Sequence, residues 1–533
     1  MLIPESKISL DLKHAVSAIV SGASVSMDLL RTVLKAVETP AELMTFRNSE
    51  LAETCMRLLQ EKNEHCSILD DEFSVLCLKI VLACIQVATL VVCQTVPLPQ
   101  PDPHFRLAEL AITSLTDRFK VGMESDSDPP LNPFLTATES VTLIKLLSGA
   151  RKRFLFNRCA HPKLWVGWSF LLFPAWAHLM YGNISAQTTM APVVGDLACR
   201  FSAGEFVYND ERFMFDMMAE GCHKVYENIM GQTHSYHLKR VDKQDSELAI
   251  TATASRLSAG SLSLKLSYYL FLWASSHPDT SQLDVMVQLL KASISRLWTA
   301  LDFAEDDQSL TYWRLKEVAE FSEQIVLYIM STVPVRLERV TARTAIPALL
   351  NAALESSVFA LLARALMFPL RDEWHIAYIN LHPNAQRFLD DIFNKQLETI
   401  EELGRFLSRF NSLDINAFQD SHADWLRAAQ HFEEQCHIYN GDRFARTHIS
   451  RCRAVWTKLG SSLVSNHLDG CSMHCSYPRC PHPMALGGVS FACKRCWKVT
   501  YCSYRCQSLH WSCTLPGGSH ADACSSSPPT NLG

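Results

Sequence analysis

The sequence lacks a strong excess of charge of either sign, and it lacks a basic, apolar leader. Its formal net charge is -6 over 533 residues, so it has no overall basic field that would attract nucleic acid or an anionic membrane. Its first residues show no basic start followed by a continuous apolar run, so no secretory signal is predicted. We therefore expect an intracellular chain, in the nucleus or the cytoplasm, that binds neither nucleic acid nor membrane.

Long apolar runs without interruption are also missing. The two most apolar stretches are residues 73–96, which contain Lys79 and Gln86, and residues 164–180, which contain Pro174 and His178. A membrane-spanning helix needs about 20 nearly uninterrupted apolar residues. Both stretches are therefore predicted to be buried core helices.

Common catalytic motifs are absent as well. The sequence contains no phosphate-binding G-x-x-x-x-G-K, no H-E-x-x-H and no G-x-S-x-G. These absences remove the sequence support for nucleotide hydrolysis, zinc peptidase chemistry and α/β-hydrolase chemistry. We predict that the protein is not an enzyme.

Apolar residues at helical spacing are abundant from about residue 280 to residue 465. Steps of three and four separate the apolar residues of one stripe, Leu283, Met286, Leu290, Ile294, Leu297 and Leu301. The longest stripe comprises Leu389, Phe393, Leu397, Ile400, Leu403, Leu407 and Phe410. The pattern predicts a mainly α-helical fold. A helical bundle and an irregular HEAT-like or armadillo-like array both fit it.

Local signals suggest where helices start and where loops interrupt them. Thr136 and Glu139 form a capping-box pattern, and Pro347 suits the first turn of the helix that carries Leu350. Proline-rich polar segments at 96–103 and 124–133 are predicted to be loops. We therefore divide the chain into a helical region 1–470, of one or more domains, a cysteine-rich module 471–524 and a disordered tail 525–533.

The cysteines are distributed unevenly. The chain has 19 cysteines, and nine of them lie between Cys471 and Cys524. In a large intracellular chain, cysteines are kept reduced, so metal ligation is favoured over disulfides. A redox role for the C-x-x-C segment is disfavoured because no thioredoxin-like βαβ pattern surrounds it. The clustering predicts a separate metal-binding module.

The ligand-type residues of this module occur in close pairs. Each pair can supply two corners of a zinc tetrahedron, and two pairs complete one structural site. The four pairs are Cys475 with Cys480, Cys493 with Cys496, Cys502 with Cys506, and His520 with Cys524. Eight ligands predict two zinc ions. Because all four positions of each ion are filled by the protein, the sites are predicted to be structural.

The segment YCSYRCQSLHW at residues 501–511 resembles the MYND zinc-finger signature YCS-x-x-CQ-x-x-x-W, and CKRC at 493–496 resembles the family's second pair. The long helical region followed by this module is similar to a layout found in fungal proteins. The resemblance implies interleaved sites. In that arrangement one ion is held by Cys475, Cys480, Cys502 and Cys506, and the other by Cys493, Cys496, His520 and Cys524.

The sequence departs from the family pattern in two places, and each leaves an alternative ligand. The first pair has four residues between its cysteines instead of two, so Cys471 is an alternative partner for Cys475. The last pair is displaced by an LPGGS insertion, so His510 with Cys513 competes with His520 and Cys524. We favour the later pair, because it keeps the family's spacing of three residues between histidine and cysteine.

The resemblance implies an adaptor function. MYND modules mostly bind short peptides, often with proline, in a shallow surface groove, and Trp497, Tyr504 and Trp511 are candidates to line it. The same rings are equally suited to the small core. The alternative function is that of a MYND-associated protein lysine methyltransferase. It is disfavoured because its SET motifs are absent and the module stands at the carboxyl end.

Overall fold

The computed structural model describes most of the helical region and parts of the cysteine-rich module. The described residues are 8–22, 24–39, 41–63, 68–93, 103–124, 134–181, 184–204, 209–230, 241, 245–260, 262–275, 283–306, 312–336, 339–367, 385–407, 424–425, 428–429, 431–432, 435–436, 443–467, 475–477, 491–493, 495, 499–501, 503–512 and 519–524. Of these residues, 85% are helical, which confirms the predicted all-α fold.

The chain divides into two compact units, Met1–His277 and Pro278–Gly533. The predicted boundary at residue 470 lies inside the second unit. The predicted loops at 96–103 and 124–133 fall almost wholly outside the described residues, as does the tail 525–533.

The described residues of the first unit are mostly in α-helices. In chain order these are α1 Leu10–Val20, α2 Met27–Lys35, α3 Ser49–Asn63, α4 Glu72–Val92, α5 Pro103–Glu124, α6 Ala137–Gly149, α7 Arg151–Ala160, α8 Phe173–Tyr181, α9 Ile184–Ala203, α10 Asn209–Met230, α11 Ser246–Ser258 and α12 Leu264–Ala274. Short 3-10 helices lie at Ala36–Glu38, Leu43–Arg47, Pro162–Trp165 and Trp168–Leu171.

Side-chain caps explain where several of these helices begin. The hydroxyl of Ser9 accepts a hydrogen bond from the N–H of Leu12 at the start of α1. At the start of α6, the Thr136 hydroxyl accepts from the Glu139 N–H while the Glu139 carboxylate accepts from the Thr136 N–H. This reciprocal pair is the predicted capping box, which satisfies two backbone donors that the first helical turn leaves unpaired.

Helix α4 supplies much of the core of the first unit. It is long and apolar enough to cross a membrane, but 61% of its most apolar 18-residue window is buried inside the unit. Its residues Cys77, Leu78, Ile80 and Val81 have no exposed surface and pack into a core shared with α3, α9 and α10. The part of the stretch 73–96 that the structure describes, up to residue 93, therefore has the packing of a core helix, as predicted.

The second apolar stretch, residues 164–180, is not the single core helix that we predicted. It forms two 3-10 turns before α8 begins at Phe173. Gly167 separates them with φ of 78°, and a side chain there would collide with Ala108 and Gln86. The buried carboxylate of Glu211 accepts hydrogen bonds from the Gly167 N–H and the Ser169 hydroxyl. The left-handed glycine and these bonds stabilise a turn where apolar periodicity alone suggested a helix.

Helix α9 packs against α6, α7, α8, α10, α11 and α12. In a repeat array each repeat contacts only its neighbours, so these contacts are those of an irregular bundle. An ion pair buried on α9 joins Arg200 to Asp196 at 2.9 Å, and the Trp273 indole N–H donates to Asp196 at 2.9 Å. These bonds tie α9 to α12.

The described residues of the second unit form six longer helices and a small carboxyl-terminal module. Its elements are α13 Leu283–Asp306, α14 Tyr312–Arg336, α15 Arg339–Glu355, α16 Val358–Met367, α17 Ala385–Leu407, α18 Arg443–His467, β1 Phe491–Ala492, β2 Thr500–Tyr501, α19 Tyr504–Trp511 and α20 His520–Ala523. The predicted stripes lie on α13 and α17, and their described core residues such as Leu290, Leu297 and Phe393 are buried. Phe410 lies outside the described residues.

Two details of the second unit differ from the sequence prediction. Pro347 lies inside α15, which begins at Arg339, and not in a first turn. The helix predicted to carry Leu350 ends at Glu355, and apolar residues at helical spacing continue in α16 after a bend of 60° at a break that contains Ser357 with φ of 55°. The same apolar spacing on both sides of the break concealed it, because periodicity does not detect a single left-handed residue.

Candidate metal centre

The candidate metal centre begins at a two-stranded antiparallel hairpin. Strand β1 pairs with β2 through Phe491 with Tyr501 and Ala492 with Thr500. The next residue, Cys493, donates its backbone N–H to the Val499 carbonyl at 3.0 Å. The hairpin therefore fixes the backbone of Cys493, whose side chain is only 2% exposed.

Two short capped helices complete the module. The Ser503 hydroxyl accepts from the Cys506 N–H at 3.2 Å and caps α19. The Ser519 hydroxyl accepts from the Asp522 N–H at 3.2 Å and caps α20, whose first residue is His520. Helices of eight and four residues are too short to be stable alone, so other interactions must hold them in place.

Cys493, His520 and Cys524 converge on one point. Their ligand atoms all lie within 4.8 Å of one another, and the two Sγ atoms are 3.7 Å apart. That separation is far longer than the roughly 2.05 Å of a disulfide bond. Two thiolates bound to zinc at about 2.3 Å are roughly 3.8 Å apart along a tetrahedral edge. The residues therefore fit three corners of a metal site.

Aromatic rings pack around the imidazole of His520. The Trp511 ring lies edge-on to it at a centroid distance of 5.7 Å, and the His510 ring lies 5.5 Å away. His520 is 5% exposed, and burial lowers its pKa, with a smaller contribution from His510. A lowered pKa favours the neutral imidazole, which is the form that binds a metal.

The neighbouring His510 has a different set of contacts. Its Nδ1 lies 3.0 Å from the Tyr501 hydroxyl, within hydrogen-bonding distance, and its ring packs edge-on against Tyr501. Burial lowers its pKa. Among the described residues, the metal-ligand cluster contains His520 and not His510. Cys513, its predicted companion in the competing pair, lies outside the described residues.

The other predicted ligands are only partly described. Cys475 and Cys506 are buried in one small cluster with Cys493 and Tyr501. The Ser476 N–H donates to the Thr500 carbonyl at 2.7 Å, which fixes the Cys475 segment against β2. Four further cysteines, the predicted ligands Cys480, Cys496 and Cys502 and the alternative ligand Cys471, lie outside the described residues. The described residues therefore show one possible metal-binding triad, and its fourth ligand Cys496, the second site and the identity of the metal as zinc stay predictions.

A groove of about 380 Å³ opens beside the candidate metal centre. Its lining consists of Cys493, Arg495, Tyr504, Gln507, Ser508 and Trp511. Tyr504 is 64% exposed, and the Arg495 guanidinium lies over the Trp511 ring at 5.3 Å from its centroid. Of the three predicted groove residues, Tyr504 and Trp511 line this groove, and Trp497 lies outside the described residues.

Arg495, Gln507 and Ser508 also line the groove, and none of the three was predicted to do so. Positions 504, 507, 508 and 511 share one face of α19. Helical spacing from Tyr504 and Trp511 was therefore the signal that could have identified Gln507 and Ser508. No sequence signal places Arg495, because its position depends on how the hairpin packs against α19.

Comparison with known proteins found no family model, no curated protein and no solved structure that matches the chain.

Proposed function

We propose that the protein is an adaptor that binds a short peptide segment of another protein through a MYND-type finger formed by residues 471–524 and two zinc ions. The observation that carries this proposal is an open groove, lined by two aromatic side chains, built directly on the residues that form the candidate metal centre. Its volume of about 380 Å³ lies within the 300 to 1,000 Å³ that ligand sites commonly have.

The candidate metal centre and the groove are directly connected through two residues. Cys493 belongs to the metal-ligand cluster and also lines the groove, and Trp511 lines the groove while its ring packs on His520. Loss of the ion should therefore disorder the groove. In this proposal zinc acts through structure, since a module of about 50 residues has too small an apolar core to fold without it.

The aromatic lining supports a peptide ligand. Tyr504 exposes most of its side chain although it occupies the first turn of α19, where a polar residue would be better solvated. Tyrosine and tryptophan provide rigid contact area at low conformational cost and are enriched at binding surfaces. The flat faces of these rings suit the ring of proline, so a proline-containing segment is the proposed ligand.

The test uses the full chain and a phage-displayed library of random peptides. Peptides that bind the immobilised, zinc-loaded protein should lose binding at least tenfold to Tyr504→Ala, because this substitution removes groove surface without touching the metal cluster. Leu509→Ala is the matched control, since Leu509 is 42% exposed on the same helix but does not line the groove. Cys506→Ala should lose both zinc and peptide binding.

Failure to select any peptide that distinguishes wild type from Tyr504→Ala would contradict the proposed function. Undiminished binding by a zinc-free Cys506→Ala protein would also contradict it, because recognition would then lie in the helical region.

A further inference from the structure

The lining of the groove beside the candidate metal centre includes a basic side chain. Arg495 is exposed and is the one cationic side chain among the six described residues of the lining, which include no aspartate or glutamate. The other polar lining groups are the Gln507 amide, the Ser508 hydroxyl and the Tyr504 hydroxyl, which are neutral. A ligand segment that fills the groove therefore lies beside a cation, with no acidic lining residue described to neutralise it.

The Arg495 guanidinium packs against the Trp511 ring, which lies on α19. Its guanidinium carbon lies 5.3 Å from the centre of the Trp511 ring, a cation–π distance. A guanidinium in a cation–π contact can still bind a carboxylate with two parallel hydrogen bonds, because it carries five N–H donors in a planar fork. A lysine at this position would supply the charge without that planar, oriented pair of donors.

We infer that Arg495 is a specificity-determining residue of the groove and that the bound peptide carries an aspartate or glutamate beside the residue that packs on Tyr504 and Trp511. This inference rests on the proposed peptide-binding function and adds the charge of the ligand to it. The occupant is an acidic segment of another protein, chosen by charge complementarity with Arg495.

The test takes the peptides selected on the full-length, zinc-loaded chain and asks whether they share an acidic position. Each selected peptide is compared with its own amide counterpart, in which that aspartate or glutamate is replaced by asparagine or glutamine. Wild-type protein should bind the acidic form about tenfold more tightly, and the preference should shrink as salt is raised. This comparison changes only the peptide, so it does not depend on how any protein variant folds.

Substitution of the protein completes the cycle. Arg495→Gln should bind the acidic and amide peptides equally, and Arg495→Lys should keep part of the preference. Arg505→Gln is the matched control, because Arg505 is also exposed in the same module but does not line the groove. It should preserve the tenfold preference. Zinc content measured on each variant confirms that the module is intact.

Three results are distinguishable. Tyr504-dependent peptides with a shared acidic position, whose preference is lost in Arg495→Gln, support the inference. Tyr504-dependent peptides without such a position, or a preference that Arg495→Gln retains, overturn the inference and leave the proposed function standing. An absence of Tyr504-dependent peptides overturns both.

Discussion

His510 and His520 lie with their rings 5.5 Å apart, yet only one of them belongs to the metal-ligand cluster. His520 is buried beside Cys493 and Cys524, whereas the Nδ1 of His510 lies next to the Tyr501 hydroxyl. His510 is therefore a matched control for the assignment of His520 as a metal ligand, because it is the same residue type and lies next to His520.

At the residue scale, we expect elemental analysis to give about two zinc ions per wild-type chain. His520→Ala and Cys524→Ala should each lower this content to one or fewer, because each removes one corner of a tetrahedral site. His510→Ala should keep about two ions and lose only some stability, since it removes a hydrogen bond and ring contacts. Zinc loss in His510→Ala together with zinc retention in His520→Ala would reverse the assignment.

The sequence predicted more of the metal site than of the groove. The close pairs predicted candidate ligands, because a tetrahedral ion demands pairs of such ligands whatever the surrounding fold. The interleaved arrangement that the resemblance implied joined Cys493 to His520 and Cys524, which lie together in the structure, while the other ligands stay predictions. The groove depends on packing between the hairpin and α19, so Arg495 was not assigned to it. In the sequence, Arg495 has the pattern of an ordinary exposed residue. Only its contact with the Trp511 ring in the structure places it at the groove.

At the scale of whole elements, Gly460 shows how packing can oppose helix propensity. Gly460 lies in α18, where alanine normally stabilises a helix by about 1 kcal/mol. A methyl group at this position would overlap the Trp425 ring. The indole N–H of Trp425 donates to the Trp456 carbonyl at 2.9 Å, and that of Trp456 donates to the Trp425 carbonyl at 3.0 Å. The two tryptophans therefore have little freedom to move away.

We accordingly expect Gly460→Ala to destabilise the protein by about 1 to 3 kcal/mol, as overpacking does in tight cores. Urea unfolding followed by tryptophan fluorescence measures the change. Ser450→Ala, an exposed position on the same helix, is the control and should change the free energy of unfolding by less than about 0.5 kcal/mol. Stabilisation by Gly460→Ala would show that the Trp425 ring relaxes without cost.

Element boundaries were predicted well where a local chemical signal exists and poorly where tertiary structure decides. Thr136 and Glu139 mark the start of α6 because the capping box is a contact between residues three apart. The break at Ser357 and the turn at Gly167 have no comparable local mark. The turn is stabilised by the carboxylate of Glu211, which lies 44 residues from Gly167 in sequence.

At the scale of the whole molecule, the helical units and the metal-binding module should respond differently to removal of metal. The cores of the units consist of apolar side chains buried between long helices, whereas the described helices of the module are eight and four residues long. Chelation of the full chain should therefore leave the helical circular dichroism signal nearly unchanged while it abolishes peptide binding. A large loss of helix on chelation would show that metal also organises the units.

The 3.7 Å approach of Cys493 and Cys524 joins positions that are 31 residues apart, so a bound ion closes a loop of that length. The entropy cost of closing a flexible loop rises only logarithmically, by about 0.6 kcal/mol for each doubling of its length. The five residues LPGGS before His520 therefore add little to the free energy of forming the site. The tetrahedral geometry of the ion fixes the number of residues between the two ligands of a pair. The number of residues between pairs has little effect on the free energy of forming the site, so sequence patterns for such modules should allow that number to vary.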